Sequence, residues 1–442
     1  MTIRPPLAVV LHGHHVADVL DVGDGEPAVR YTAHAVRNPA ESRLSLSLPV
    51  RAHLYPSTGP GGRWVRSLLP EGKALGWAVQ HFGIPHDDRY GLIEALGADV
   101  AGAVRVLRDP DQVGDDGSYE VLSEEQLAEI ANRSPEVGLA LDDKRGVRLS
   151  LPGVQDKFLL HRVDGRYALP IHGAPSTLIV KPEPGVLSDG TDVAGLATNE
   201  LFCLVLARSV GLDAADAHVE TFGDKQSLVV HRFDRTAEGT RVVRHHQEDL
   251  LGAQGLDPLL KYERPHVERL APTGFALGNE VTSRPGPTLR DLARCLETFT
   301  GRARLTPFLE AVTFNVVIGN ADSHARNYSV LLHRDGTVGL APLYDLISTC
   351  CYEGLDRESA QRVNGSYELD VITTNDLILE GISWGIPERV ATSRVRAVIE
   401  RIAERTGLAA EDAARKGADS EALMQVTGVV TDRARTFLAG AS

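Results

Sequence analysis

One break in the chain restricts its fold more than any other feature. Residues 318 to 332 read IGNADSHARNYSVLL: an apolar run stops, Asn320, Asp322, His324, Arg326 and Asn327 crowd into eight positions, and a strand-like run begins. A surface turn needs only about one or two such side chains, so this crowding points to chemistry. The preceding LTPFLEAVTFNVVI has the length and apolar content of a buried helix, and Gly319 follows as its stop. Beyond the loop, NYSVLLHRDGTVGLAPLYD reads as a hairpin that turns at Asp335-Gly336 and returns to Tyr344-Asp345. In that order, helix, loop and hairpin can bring Asp322, Asn327 and Asp345 to one end of a two-stranded ribbon.

Two carboxylates and a carboxamide form a set of hard oxygen ligands that suits Mg²⁺, which prefers carboxylates together with phosphate oxygens. Protein kinases build phosphoryl-transfer sites from the same parts. An Asp accepts the acceptor hydroxyl's proton, an Asn five positions later holds a metal, and an Asp beyond a hairpin holds the metal that bridges the phosphates. The strand-rich half should then supply a lysine for those phosphates. STLIVKPEP offers Lys181 at the end of an apolar strand, where an ammonium without an anionic partner would be costly. In SLPGVQDKFLL, Gly153 and Lys157 lie in a turn between strands, whose backbone N–H groups can cover a phosphate.

The remaining pattern is α+β. Strands are predicted over LAVVLHG, ADVLDVGDG, AVRYTA and SRLSLSLPV, the last from leucines 44, 46 and 48 alternating with serines. Residues 66 to 106 read as helical. The polar segment 109 to 118 is a boundary, and Ser123 with Gln126 fits a capping box opening a helix. From 147 strands return in VRLSLPGVQDKFLLHR, RYALPIH and STLIVKPEP, with LVVHRFDR closing at 235; the helix TNELFCLVLARSVG interrupts them, and helices dominate beyond 235. Three units are expected: 1–110, a strand-rich lobe over 111–235, and a mainly helical lobe over 236–442, with QSLVVHRFDR as the hinge beside a cleft.

Composition narrows the function classes. A net charge of -14 repels phosphate backbones, so any contact with DNA is expected through a partner. No run approaches the roughly 18 apolar residues a membrane span needs, and LAVVL near the start is too short for a signal-peptide core. Cys203, Cys295, Cys350 and Cys351 show no disulfide or metal-knuckle spacing, which fits a reduced, cytoplasmic protein. The HGHH run, His12, His14 and His15, reads as a turn rather than a metal cluster.

RLSLPGVQDKFLL, STLIVKP, TNELFCLVLARSVGL, LVVHRFDR, HQEDLLGAQGLDPLLKYE, FNVVIGNADSHARNYSVLL and LAPLYDLIS occur in this order over some 200 positions. In that order they resemble the HipA-type toxin kinases of bacterial type II toxin–antitoxin modules, and SRLSLSLPV and GADVAGAV match the family's extra amino-terminal subdomain. The resemblance implies a two-lobed protein-kinase-like fold with an all-α C-terminal lobe. It makes Asp322 the catalytic base, Asn327 and Asp345 the Mg²⁺ ligands, and Lys181 the holder of the ATP phosphates. Pro152, Gly153, Val154, Gln155, Asp156 and Lys157 would form the ATP-covering loop, and the backbone of His231, Arg232 and Phe233 would take the adenine. Ser150 stands where the family has its regulatory autophosphorylated serine, and added negative charge there would disfavour ATP. Glu200 would pair with Lys181. The partners implied are a small helix-turn-helix antitoxin that binds operator DNA, and an aminoacyl-tRNA synthetase as substrate, glutamyl-tRNA synthetase being the best known. His231 replaces the family's usual hinge Glu, and Pro152 stiffens a loop that is often flexible.

Other functions compete. Small-molecule kinases of the aminoglycoside type share D-x4-N but typically lack an amino-terminal subdomain such as 1–110. An inert corepressor scaffold would not need every catalytic position. A metal-dependent hydrolase using Asp322 and His324 would need further histidines close by.

Overall fold

A computed structural model of the chain describes residues 4–109, 117–133, 157–187, 190–239, 241–264 and 285–440. Its first strands close through a tight turn at His12-Gly13, where φ is +53° and +84°, the two-residue geometry that matches strand twist. That turn joins Leu7–Leu11 to His14–Asp21, and Pro27–Tyr31 and Leu54–Tyr55 extend the antiparallel sheet outward. HGHH is therefore the turn and the start of a strand.

Two sequence expectations fail in this region. Residues 66–106 do not stay helical. After the helices Gly72–Phe82 and Arg89–Leu96 the chain forms the strand Val104–Leu107, which pairs with Leu7–Leu11. SRLSLSLPV is not a strand either, although Leu44, Leu46 and Leu48 are all buried. Leu44 and Leu48 enter the core of the amino-terminal sheet, while Leu46 enters the core of the helical lobe. The alternation is real, but the backbone bonds to side chains instead of to a neighbouring strand. Leu44 N donates to the Tyr31 hydroxyl at 3.2 Å and Leu46 N to Glu248 Oε1 at 2.6 Å.

A second antiparallel sheet runs in the order Ala217–Phe222, Lys225–His231, Leu178–Pro182, Phe158–Val163, Arg166–Ile171 and Ser118–Val121. The capping box at Ser123 is present, with Gln126 N on Ser123 Oγ at 3.2 Å and Ser123 N on Gln126 Oε1 at 2.8 Å. The helix Leu196–Ser209 is apolar on nearly every side because it packs against this sheet and against the helices Glu388–Arg415 and Ser420–Ala439. It seals the strand-rich half to the helical half.

Beyond the hinge the chain is mainly helical, as expected, but not all-α. The buried helix Leu305–Ile318 ends at Gly319, whose φ of +77° is the left-handed cap. The expected hairpin forms from Ser329–Leu332 and Val338–Leu340, and His246–Asp249 adds a third strand. Arg235–Glu238 pairs with Arg241–Arg244, and Glu358–Val363 with Ser366–Glu368. The sequence gives little sign of these short ribbons because each strand is only 3 to 6 residues long.

One buried charge network ties the amino-terminal sheet to the hinge. Asp99 is fully buried. Its Oδ1 accepts from Arg235 at 2.8 Å, and its Oδ2 accepts from the Ser176 hydroxyl at 2.7 Å and lies 3.5 Å from Arg232. Asp234 completes the set, accepting from Arg232 at 2.8 Å and from Gly102 N at 2.7 Å. Gly102 has a φ of +76°, and a Cβ there would lie 2.8 Å from His246 Nδ1, so only glycine lets the backbone come this close. The arginines hold the Asp99 carboxyl well below its usual range against the opposing effect of burial. Asp99→Ala would leave Asp234 as the one carboxylate facing the buried guanidiniums of Arg232 and Arg235, and should destabilise the chain by about 3–5 kcal/mol. Urea unfolding of the full chain checks this, with a lowered midpoint expected.

Candidate active site

A cavity of about 390 Å³ lies between the strand-rich and helical halves. Lys157, Lys181, Glu200, His231, Arg232, Phe233, Asp322, Asn327 and Asp345 all line it. Ser150, Pro152, Gly153, Val154, Gln155 and Asp156 lie outside the described residues.

Lys181 sits on the strand Leu178–Pro182, opposite Leu228 of the hinge strand. Only 5% of it is exposed, and its ammonium donates to Glu200 Oε1 at 2.8 Å and Oε2 at 3.0 Å, and also to Asp345 Oδ1. Glu200 lies in the second turn of the Leu196–Ser209 helix, so strand, helix and loop each contribute one charge. Burial alone would raise the Asp345 carboxyl, but Lys181 and then Lys157 outweigh it and hold it down at about 2. Asp345 is thus an anion across the physiological range. Its φ of +50° is left-handed for a non-glycine residue, and Asn320 Nδ2 donates to its carbonyl at 3.3 Å.

The loop after Gly319 is held by its own polar residues. Asn320 Oδ1 accepts from Asp322 N at 3.1 Å, and Asn327 Nδ2 donates to the Asp322 carbonyl at 2.8 Å. The carboxamide nitrogen of Asn327 is thereby engaged, which leaves its oxygen as the atom that could serve as a ligand. With the Asp345 carboxylate this makes a sparse oxygen set, which fits a Mg²⁺ that takes most of its ligands from water and phosphate. Among the described residues no group of three or more His, Cys, Asp or Glu could hold a metal ion without such help.

Arg326 is buried. It donates to Asp249 Oδ2 at 3.0 Å and to the Ser67 carbonyl at 2.9 Å, and pairs with Glu71. The amino-terminal helices therefore meet the polar loop directly, and Trp64, Leu68 and Glu71 line the same cavity. At the hinge, Phe233 stacks on Tyr344 with centroids 5.7 Å apart, while the Arg232 side chain turns into the Asp99 network. The hinge backbone is pinned by Arg232 N on the Thr177 carbonyl at 3.0 Å.

Sequence reasoning missed Lys261 and Tyr262. The Tyr262 hydroxyl donates to Asp322 Oδ1 at 2.5 Å, and Lys261 Nζ reaches Glu71 Oε2 at 3.0 Å. Burial pushes the Lys261 ammonium down despite the pull of Asp322 and Asp345. The signal lay in LDPLLKYE, where two polar residues follow an apolar turn, but nothing local ties that stretch to residue 322.

A two-lobed kinase-like fold with lysine, glutamate and aspartate gathered at its cleft defines the class of this protein. A model of the HipA N-terminal domain matches residues 7–107, and one of the HipA-like C-terminal domain matches residues 149–406. The chain belongs to the HipA family of kinases. Y4mE of Sinorhizobium fredii, a kinase by name, is 32% identical over 98% of this chain and 99% of its own length. The serine/threonine-protein kinase toxin HipA of Shewanella oneidensis is 26% identical, covering 88% of this chain and 86% of the relative. The solved Shewanella oneidensis HipA, in complex with HipB and operator DNA, shares the fold at a TM-score of 0.78 and 24% identity over 98% of both chains.

Burial pushes His324 down to about 4, against the pull of Asp322. Its imidazole should therefore stay neutral at pH 6, where an exposed histidine is largely protonated. Proton NMR of the ring C–H, assigned by the loss of one signal in His324→Gln, should give a midpoint near 4.

Proposed function

We propose that this chain is an ATP- and Mg²⁺-dependent protein serine/threonine kinase, the toxin of a HipBA-type module. The observation that carries the reading is the meeting of Lys181, Glu200, Asp322, Asn327 and Asp345 around one cavity. Asp322 takes the proton of an acceptor hydroxyl as its oxygen bonds to the γ-phosphorus and ADP leaves. Asn327 and Asp345 would hold the Mg²⁺, which when bound would supply positive charge to offset that of the phosphates. Lys181, oriented by Glu200, holds the phosphates, and Pro152, Gly153, Val154, Gln155, Asp156 and Lys157 cover them. His231, Arg232 and Phe233 take the adenine through their backbone. Ser150 is the autophosphorylation site that switches the enzyme off.

The three units 1–110, 111–235 and 236–442 divide the work into an amino-terminal subdomain, a nucleotide lobe and a catalytic-loop lobe. The Shewanella oneidensis HipA complex supports a HipB-like helix-turn-helix antitoxin as partner, with DNA reached through it. An aminoacyl-tRNA synthetase is the protein substrate, and the cytoplasm is where both are met. No helix among the described residues is long and apolar enough to cross a membrane.

Incubation with Mg²⁺ and γ-labelled ATP tests the reading. Label should appear on Ser150 in the wild type, and Asp322→Ala should lower its rate by at least about a hundredfold while nucleotide binding persists. Tight ATP binding without label in the wild type would leave only a corepressor scaffold.

Lys157 makes nucleotide affinity depend on pH. Burial pushes its ammonium down to about 8 despite the pull of Asp345, and Lys181 adds to the push. The free protein therefore loses this proton as pH rises through about 8, whereas a bound phosphate favours the charged form. Affinity for ATP should fall above pH 8, approaching roughly tenfold per pH unit before levelling off. Calorimetric titration between pH 7 and 9.5 should show this fall, and Lys157→Met should flatten it.

A further inference from the structure

We infer that Tyr262 is a positioning residue for Asp322, holding one carboxylate oxygen so that the other faces the acceptor hydroxyl. The inference rests on the reading of Asp322 as the base. Asp322 is exposed, and the loop fixes its backbone through Asn320, His324 and Asn327, but those bonds do not set its side-chain torsions. The Tyr262 hydroxyl does, donating to Oδ1 at 2.5 Å. A carboxylate has two oxygens and about four acceptor sites, so this bond leaves Oδ2 available.

The phenol is itself held rigidly. Its ring stands at 88° to His324, with centroids 5.2 Å apart. On one side of it the Lys261 carbonyl accepts from Ala325 N, within the catalytic loop, at 3.0 Å and from Gln361 Nε2 at 3.0 Å. On the other side Glu263 N donates to the Ala360 carbonyl at 3.0 Å. The Glu263 carboxylate, 3% exposed, accepts from Arg362 N at 2.8 Å and Arg362 Nε at 2.5 Å. Tyr262 is thus fastened both to the loop it serves and to the ribbon Glu358–Val363. A general base must lie within about 2.6–3.2 Å of the proton it takes, and an exposed aspartate without such a brace would sample rotamers outside that range.

The test uses the full chain and Tyr262→Phe, which keeps the ring against His324 and removes only the donor. Single-turnover label transfer from γ-labelled ATP to the chain gives the rate. Binding of AMP-PNP with Mg²⁺ gives nucleotide affinity separately. The expected result is a roughly tenfold slower transfer, with nucleotide affinity changed less than about twofold. Because Tyr262 acts through Asp322, the substitution should cost little further in an Asp322→Asn background. An equal loss in both backgrounds would mean general damage and overturn the inference. So would an unchanged or faster rate in Tyr262→Phe, since a faster rate would make the phenol an obstruction in the acceptor's place. An active wild type with an unaffected Tyr262→Phe removes this inference alone. A wild type that transfers no phosphoryl group removes the kinase reading and this role with it.

Discussion

The site depends on one ammonium. Lys181 is buried where an unpaired cation would be costly, and it is stable there because Glu200 and Asp345 approach from a helix and a loop of separate origin. Those three residues come from positions far apart in the chain. Their meeting requires the Leu196–Ser209 helix to lie between the second sheet and the long carboxyl-terminal helices. The extensive burial of that helix therefore serves the site as well as the core.

The amino-terminal sheet is part of the machinery rather than an appendage. It reaches the hinge through Asp99 and Gly102, the polar loop after Gly319 through Ser67 and Glu71, and the helical core through Leu46. Asp99 bears on the segment expected to hold the adenine, and Glu71 on Arg326 within the loop of Asp322. Changes in the placement of this subdomain would thus be felt at both ends of the cavity. Such buried ionic contacts specify one relative arrangement of the parts more sharply than apolar contact alone.

Much of the fold was legible because its signals are local. Gly319 ends its helix, Asp335-Gly336 turns its hairpin, and Ser123 caps its helix together with Gln126. Leu44, Leu46 and Leu48 carry a correct alternation with a wrong conclusion. Period-two burial says that successive side chains face opposite ways, but not that a neighbouring strand exists to take the backbone bonds. Here two different cores accept the leucines, and side chains accept the amides of Leu44 and Leu46. Val104–Leu107 was hidden for the converse reason: its pairing partner, Leu7–Leu11, is nearly a hundred residues away.

The sequence by itself determined the residue types of the chemistry and their order: a lysine ending one strand, D-x4-N after a helix stop, and a returning aspartate beyond a hairpin. These are short-range patterns, set by turn geometry and by the cost of burying charge. The expected pairing of Glu200 with Lys181 is met, but only the tertiary structure decided that Arg326 points inward to Glu71 and Asp249, and that Tyr262 rests on Asp322. Each of those contacts joins segments whose separation along the chain carries no information about distance in space. Packing of the two cores brings them together.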